Sequence, residues 1–166
     1  MKTANRILIL SALALFLFTG VPAIAADGMV AGTISLEMED GLVEPGNWIR
    51  ILLVTRAVAV PKMEAALQPG DPGYIEAVNL LHSGFYIEVQ QHLAEKGYLL
   101  ASTLATDAGT FKIPAVAPGD YFILVKFPGN IRGYKVAWQV PVRVTSGKTA
   151  TVHLNRSNLA LPTAKR

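Results

Sequence analysis

The chain has 166 residues, 15 of them basic and 12 acidic, a formal charge of +3 and no cysteine. That length suits one domain with its own core. The lack of thiols excludes disulfide bracing and a cysteine nucleophile, and so even a charge balance argues against nucleic acid as a partner. With 51% of the residues apolar, burial must hold the fold together.

The first 26 residues read as a secretory signal peptide. "MKTANR" is a short basic start, "ILILSALALFLFTG" an apolar run, and Ala23, Ala25 and Ala26 supply the small residues of a cleavage site. The apolar run is shorter than the roughly 20 residues that span a bilayer, and no cysteine stands at the cleavage site to carry a lipid. Cleavage removes Lys2 and Arg6, so 13 basic residues face 12 acidic ones and the mature charge is +1. The expected compartment is periplasmic or secreted, with no stable membrane insertion after cleavage. The remaining charge is lopsided: residues 27–110 carry 4 basic and 11 acidic residues, and residues 111–166 carry 9 and 1. Such a split can make a two-signed surface.

Strands follow. "GMVAGTISLEM" (28–38) is rich in extended-structure formers. "EDGLVEPGN" (39–47) holds Asp40-Gly41 and Pro45-Gly46 as turn punctuation. "WIRILLVTRAVAV" (48–60) is apolar on both faces, so something besides a partner sheet must cover it. The segment 61–98 changes character. "DPGYIEAVNLLHSGFYIEVQQHLAEKG" predicts a helix, with Asp71 as cap, Pro72 in the first turn and Gly97 as the stop. Ile75, Val78, Leu81, Phe85, Val89 and Leu93 recur at steps of three and four and form one apolar stripe. Five more strands are predicted over 98–106, 110–114, 120–127, 134–145 (split at Pro141) and 148–155. Residues 156–166 read as a loose tail.

Asp107-Ala108-Gly109 and Pro118-Gly119-Asp120 are corners, in which the acids serve turn chemistry and not catalysis. Along 120–127, Tyr121, Ile123, Val125 and Phe127 share one face, and Phe122 and Leu124 the other. The first set fills the space between two sheets. The second, with Leu52 and Val54, lies under the stripe Val78–Phe85–Val89.

The stretch "TLATDAGTFKIPAVAPGDYFILVKFPG" resembles the carboxypeptidase regulatory-like (transthyretin-like, prealbumin-like) domains. Thr106, Asp107, Gly109, Phe111, Pro118, Gly119, Tyr121, Val125 and Gly129 match their T-D, Gly-aromatic and P-G-x-Y pattern, with Asp120 where those domains often carry a small polar residue. "AGTISLE" is similar to their opening strand and "VPVRVTSGKTATVHLN" to their end. The resemblance covers most of the mature chain except about 61–98, which is an insertion. It implies an all-β fold: a seven-stranded antiparallel, transthyretin-like (Ig-like) sandwich over 27–155, with a helical insertion between the second and third strands. It also implies a module that recurs without catalytic activity in secreted and surface proteins.

No assembled catalytic set is visible. His82 and His92 are ten residues apart on the predicted helix and point away from one another. No metal-ligand spacing, nucleophile elbow or phosphate loop occurs, and no cofactor is expected. Glu37, Glu39 and Asp40 read as a solvated loop. The alternative is a small hydrolase or metal-dependent enzyme, with His153 and an acid such as Glu88 or Glu95 converging between insertion and sheet. Binding candidates come from the aromatics Trp48, Trp138, Tyr74, Tyr86, Tyr98 and Tyr134. Tyr134 and Trp138, of one strand parity and beside the basic Arg132 and Lys135, are expected to be partly exposed. The expected function is a non-catalytic binding or structural module for a protein or polysaccharide of the cell envelope.

Overall fold

The computed structural model describes residues 26–63 and 67–165, with 126–128 described for the backbone alone. The predicted signal segment 1–25 lies outside the described residues. Eight strands and one long helix follow one another: β1 (Gly28–Glu37), β2 (Val43–Pro45), β3 (Arg50–Val54), α1 (Tyr74–Leu93), β4 (Leu99–Leu104), β5 (Thr110–Val116), β6 (Gly119–Ile131), β7 (Tyr134–Val144) and β8 (Thr149–Leu154). One sheet is built around β1, flanked by β2 and β5 on one side and β8 on the other. The second has the order β4-β3-β6-β7.

Three features differ from the sequence expectation. Leu42-Val43, between two turn dipeptides, starts a short extra strand, β2, whose register sets Ser35 against Pro45 and Glu37 against Val43. The sandwich is not antiparallel throughout. β8 runs parallel to β1, Met29 to Ile34 against Thr149 to Leu154, because β7 belongs to the other sheet and the turn 145–148 carries the chain across to the end where β1 begins. Finally, β7 is not split at Pro141, which sits opposite Phe122. β7 is an edge strand of its sheet, where a residue without an N–H can face outward.

The two sheets face each other across an apolar core. Val30, Ile34 and Leu36 of β1, Phe111 and Ile113 of β5, and Val152 and Leu154 of β8 meet Ile51, Leu53, Ile123, Val125, Val136 and Trp138 of the second sheet, all buried. Alternation then puts Leu52, Val54, Phe122, Leu124 and Ala137 on the outer face of that sheet, and α1 covers them with Leu81, Phe85 and Val89. This explains the apolar run at β3: one face lines the sandwich and the other lies under the helix. Val78 packs with Tyr74 and Ala164 instead, and Ile75 faces solvent. β3 stops at Val54. Beyond it, the Gln139 side-chain amide accepts from Val58 N at 2.8 Å and donates to Val58 O at 3.0 Å, taking the place of a strand neighbour.

Asp71 does not cap α1. Pro72 and Gly73 separate it from the first helical residue, and its carboxylate accepts from Gln68 N at 2.7 Å. The capping position is Gly73, at φ 83° and without a side-chain bond. Gly97 is in the left-handed conformation expected after a helix (φ 82°).

The C-terminal segment is not loose. A 3-10 turn at Arg156–Asn158, closed by Asn155 accepting from Ser157 N, redirects the chain along the free edge of β7. Leu159 bridges Trp138 and Lys165 bridges Tyr134. Leu161 and Ala164 are buried, and His82 of α1 bonds the Pro162 carbonyl at 2.9 Å. The six apolar or small residues of 159–164 give this segment enough contact to dock, despite its turn-like composition.

Candidate functional site

The ends of β1, β6 and β8 and the starts of β2, β3 and β7 gather at one end of the sandwich. There Asp40 Oδ1 accepts from Leu42 N at 3.0 Å and closes the turn between β1 and β2. Glu44 of β2 pairs with Arg132 Nε at 2.9 Å, tying β2 to the hairpin between β6 and β7. Arg156 Nε donates to Glu37 O at 2.8 Å, tying the 3-10 turn to the end of β1.

Two open depressions share Glu39, Tyr134 and Lys165. The larger, about 600 Å³, continues along the docked tail to Tyr74, Ile75 and Arg156. The smaller adds Asp40 and Arg132. The groove thus has acidic residues from the first half of the chain and basic ones from the second, together with Tyr74 and Tyr134.

Two non-glycine residues at this end have left-handed backbone, Trp48 at φ 56° and Arg132 at φ 49°. A bulky side chain there is strained. Arg132 and Gly133 (φ 88°) form the two-residue turn between Ile131 and Tyr134, a position where asparagine or glycine is favoured. Trp48 is 64% exposed, the most exposed aromatic among the described residues, and Leu42 and Val43 nearby in sequence are also exposed.

The four residues expected to bind are therefore separated. Arg132 is exposed and ion-paired, and Tyr134 is half-buried and lines the groove. Trp138 is fully buried, with its Nε1–H donating to Asn155 O at 2.9 Å. It shares parity with Tyr134, as expected, but that face is the sandwich interior, along with Val136, Val142 and Val144. Lys135 has the other parity and lies under α1, where its Nζ donates to Asn79 Oδ1. The valine alternation around Trp138 was the signal for its burial. "EPGNW", a turn running straight into a tryptophan, was the signal that Trp48 sits in a loop and not inside a strand.

The other titratable groups are dispersed. His153 bonds Thr33 Oγ1 at 2.9 Å. Glu95 bonds Arg56 and His92, contacts that hold its carboxyl below the usual range, the Arg56 bond first and the His92 bond second. The Arg56 guanidinium lies over the Tyr98 ring, 5.3 Å from its centroid. The His153–Glu95 convergence required by the enzyme alternative does not form. Asp120 is not a turn residue. It opens β6 opposite Arg143 and pairs with it through two bonds, at 2.6 and 3.1 Å, which lower its pKa. The corner before it is held by the Tyr121 hydroxyl donating to Ala117 O at 3.0 Å. In the hairpin at 106–110 the closing side-chain bonds are Thr106's, to Thr110 N and Oγ1. Among the described residues no three His, Asp or Glu side chains gather as a metal site, and no helix is long and apolar enough to cross a membrane.

No protein-family model matches the chain, and no curated protein matches it. Among solved structures it is similar to a candidate carbohydrate-binding protein of Pseudomonas aeruginosa, with 14% identity, 80% of this chain and 90% of that one covered, and a TM-score of 0.44. It is also similar to a minor pilin of Streptococcus agalactiae, with 15% identity, 85% of this chain covered and a TM-score of 0.46. The chain spans about half of that pilin, 48% of its length.

Proposed function

We propose that the chain is an exported, non-catalytic binding module of the carboxypeptidase regulatory-like kind, its signal peptide removed. In this reading it holds an extended polymer of the cell envelope, polysaccharide before protein, at the loop end of its sandwich. The observation that carries this reading is Trp48: an indole 64% exposed on backbone at φ 56°. Left-handed backbone costs a non-glycine residue on the order of 1–2 kcal/mol, and exposing an indole forgoes its burial. The Trp48 N–H still holds Ala105 O at 3.1 Å, while the exposed indole offers a flat apolar face to a ligand.

The groove supplies the complementary chemistry. Glu39 and Asp40 accept hydrogen bonds; Arg132, Arg156 and Lys165 donate them; Tyr134 and Tyr74 offer ring surface. Acceptors and donors in one groove suit a ligand that is itself both, such as a chain of sugar hydroxyls or a peptide backbone. The openness of the groove suits a polymer passing through and not a small molecule enclosed.

Calorimetric titration with solubilised envelope glycans and with envelope protein tests this. The wild type binds one of them, and Trp48→Ala, Arg132→Ala and Tyr134→Ala each weaken binding at least about tenfold, the scale of an interface hot spot. No binding to either, or binding indifferent to all three substitutions, rejects the reading. Turnover of the bound polymer also rejects it.

A further inference from the structure

A sheet edge is a row of unpaired backbone donors and acceptors, and folded proteins usually blunt it. Most edges here are blunted. β7 is bridged by the docked tail and carries Pro141 beyond it. β5 carries Lys112 and Pro114, and its line is broken by Ala115 at φ 52°. On β8, the His153 carbonyl accepts from Asn158 Nδ2 at 2.8 Å. β4 has no such device. It is terminal in the order β4-β3-β6-β7, and no charge and no proline occurs from Tyr98 to Thr106. Among the described residues no strand pairs with its free side. Yet Leu99, Leu100 and Leu104 are exposed by 41%, 47% and 45%.

The ladder shows which backbone groups face outward. Ala105 directs both its groups at the neighbouring strand: its N–H donates to Ile49 O at 3.0 Å and its carbonyl accepts from Trp48 N at 3.1 Å. In an antiparallel pair such residues alternate with those that face away. Thr103 and Ala101, opposite Ile51 and Leu53, therefore also face β3. Ser102 and Leu104 present their N–H and C=O groups to the free side, and Leu100 follows at the bulge that ends the regular ladder. The sequence 100–104, "LASTL", is close to symmetrical about Ser102.

We propose that β4 is the seam of a two-fold homodimer. Two copies pair their β4 strands antiparallel about an axis through Ser102. Leu100 of each copy then lies opposite Leu104 of the other, and Ser102 faces Ser102. Each outward residue both donates and accepts, so the second sheet continues unbroken from one copy into the next. Leucine meets leucine on the outer face and Ala101 meets Thr103 on the inner, both acceptable cross-strand pairs. A two-fold axis sets a strand against its own sequence, so a charge at 102 would face its own copy and a charge elsewhere on β4 would need its complement across the axis. The absence of charge and the near-palindrome are what this symmetry needs, whereas an unrelated strand would need neither. The bulge between β3 and β4 at Leu100 limits the seam to about five residues a side, smaller than a standard interface, so the dimer forms reversibly with concentration. It shares no residue with the Trp48–Tyr134 end, and ligand binding there stands or falls separately.

Sedimentation velocity of the purified protein from about 1 µM to about 1 mM tests this. The wild type shifts from monomer to dimer over that range. Ser102→Glu and Ser102→Lys each stay monomeric with unchanged unfolding midpoints, and their equimolar mixture dimerises again because Glu then faces Lys. Since the chain has no native cysteine, Ser102→Cys cross-links into a covalent dimer on mild oxidation, and Thr149→Cys on β8 does not. A wild type that remains monomeric throughout overturns the proposal, as do charge variants that still dimerise or a Ser102→Cys protein that fails to cross-link.

Discussion

His82 is 1% exposed and joins two elements that sequence keeps far apart. The Pro162 carbonyl only accepts, so His82 Nε2 carries the hydrogen that meets it, and the bare Nδ1 has no partner among the described residues. Burial pushes the imidazole pKa below its ordinary value of 6.5; the Pro162 bond opposes this, and nearby Lys135 adds to it. A histidine depressed in the folded state contributes stability in full above the unfolded value. That contribution falls away as pH drops from about 6.5 through the folded value, where the folded protein must take up a proton it cannot place. Unfolding midpoints are therefore expected to decline between about pH 7 and pH 5. His82→Gln, which keeps a donor for Pro162 and cannot titrate, flattens that decline. An equal decline in the variant would assign it to other groups.

Trp48 and Arg132 act in the opposite sense, giving up stability for exposure. Trp48→Gly relieves left-handed strain and is expected to leave stability unchanged or raise it by up to about 1 kcal/mol, while abolishing polymer binding. Urea denaturation and a binding titration on the same variant separate the two. A large loss of stability would mean that the indole is structural.

At the scale of elements, α1 is held by packing and not by its ends, since its capping glycine offers no side chain. Phe85, fully buried against the outer face of the second sheet, is the main anchor, and Phe85→Ala is expected to cost about 3–5 kcal/mol in urea unfolding. One interior position of α1 runs the other way. A Cβ on Gly84 would meet only Pro61 Cγ, at 3.8 Å, an ordinary contact, so Gly84→Ala gains about 0.5–1 kcal/mol of helix propensity. The apolar stripe of α1 and the double-faced pattern of β3 were legible in the sequence because periodicity reports burial directly. The short strand β2 was not, because two turn dipeptides bracket only Leu42 to Glu44. Nor was the docked tail. Residues 159–165 have no period, and their partners, Tyr134, Trp138 and His82, lie 20 to 80 positions away and become neighbours only once the sheet and helix have formed.

For the whole molecule, part of the lopsided charge of the sequence is brought together by the fold. Glu39 and Asp40 meet Arg132, Arg156 and Lys165 at one end of the sandwich, so residues of both signs line one groove. The candidate site was half legible for the same reason. Arg132 and Tyr134 belong to it, but Trp138 and Lys135 point into the core and under the helix, as strand alternation requires. Glu39 and Lys165 reach the groove only through topology, and Trp48 stands exposed in a loop at the same end of the sandwich. The two tryptophans report the account separately, one fully buried and one 64% exposed. Acrylamide quenching of single-tryptophan variants, Trp48→Phe and Trp138→Phe, with and without solubilised envelope glycan, measures both. The expected result is a Trp138 inaccessible in either condition, and a Trp48 quenched freely in the apo protein and shielded when glycan is bound. A freely quenched Trp138, or a Trp48 whose quenching is the same in the presence of bound glycan, would contradict it.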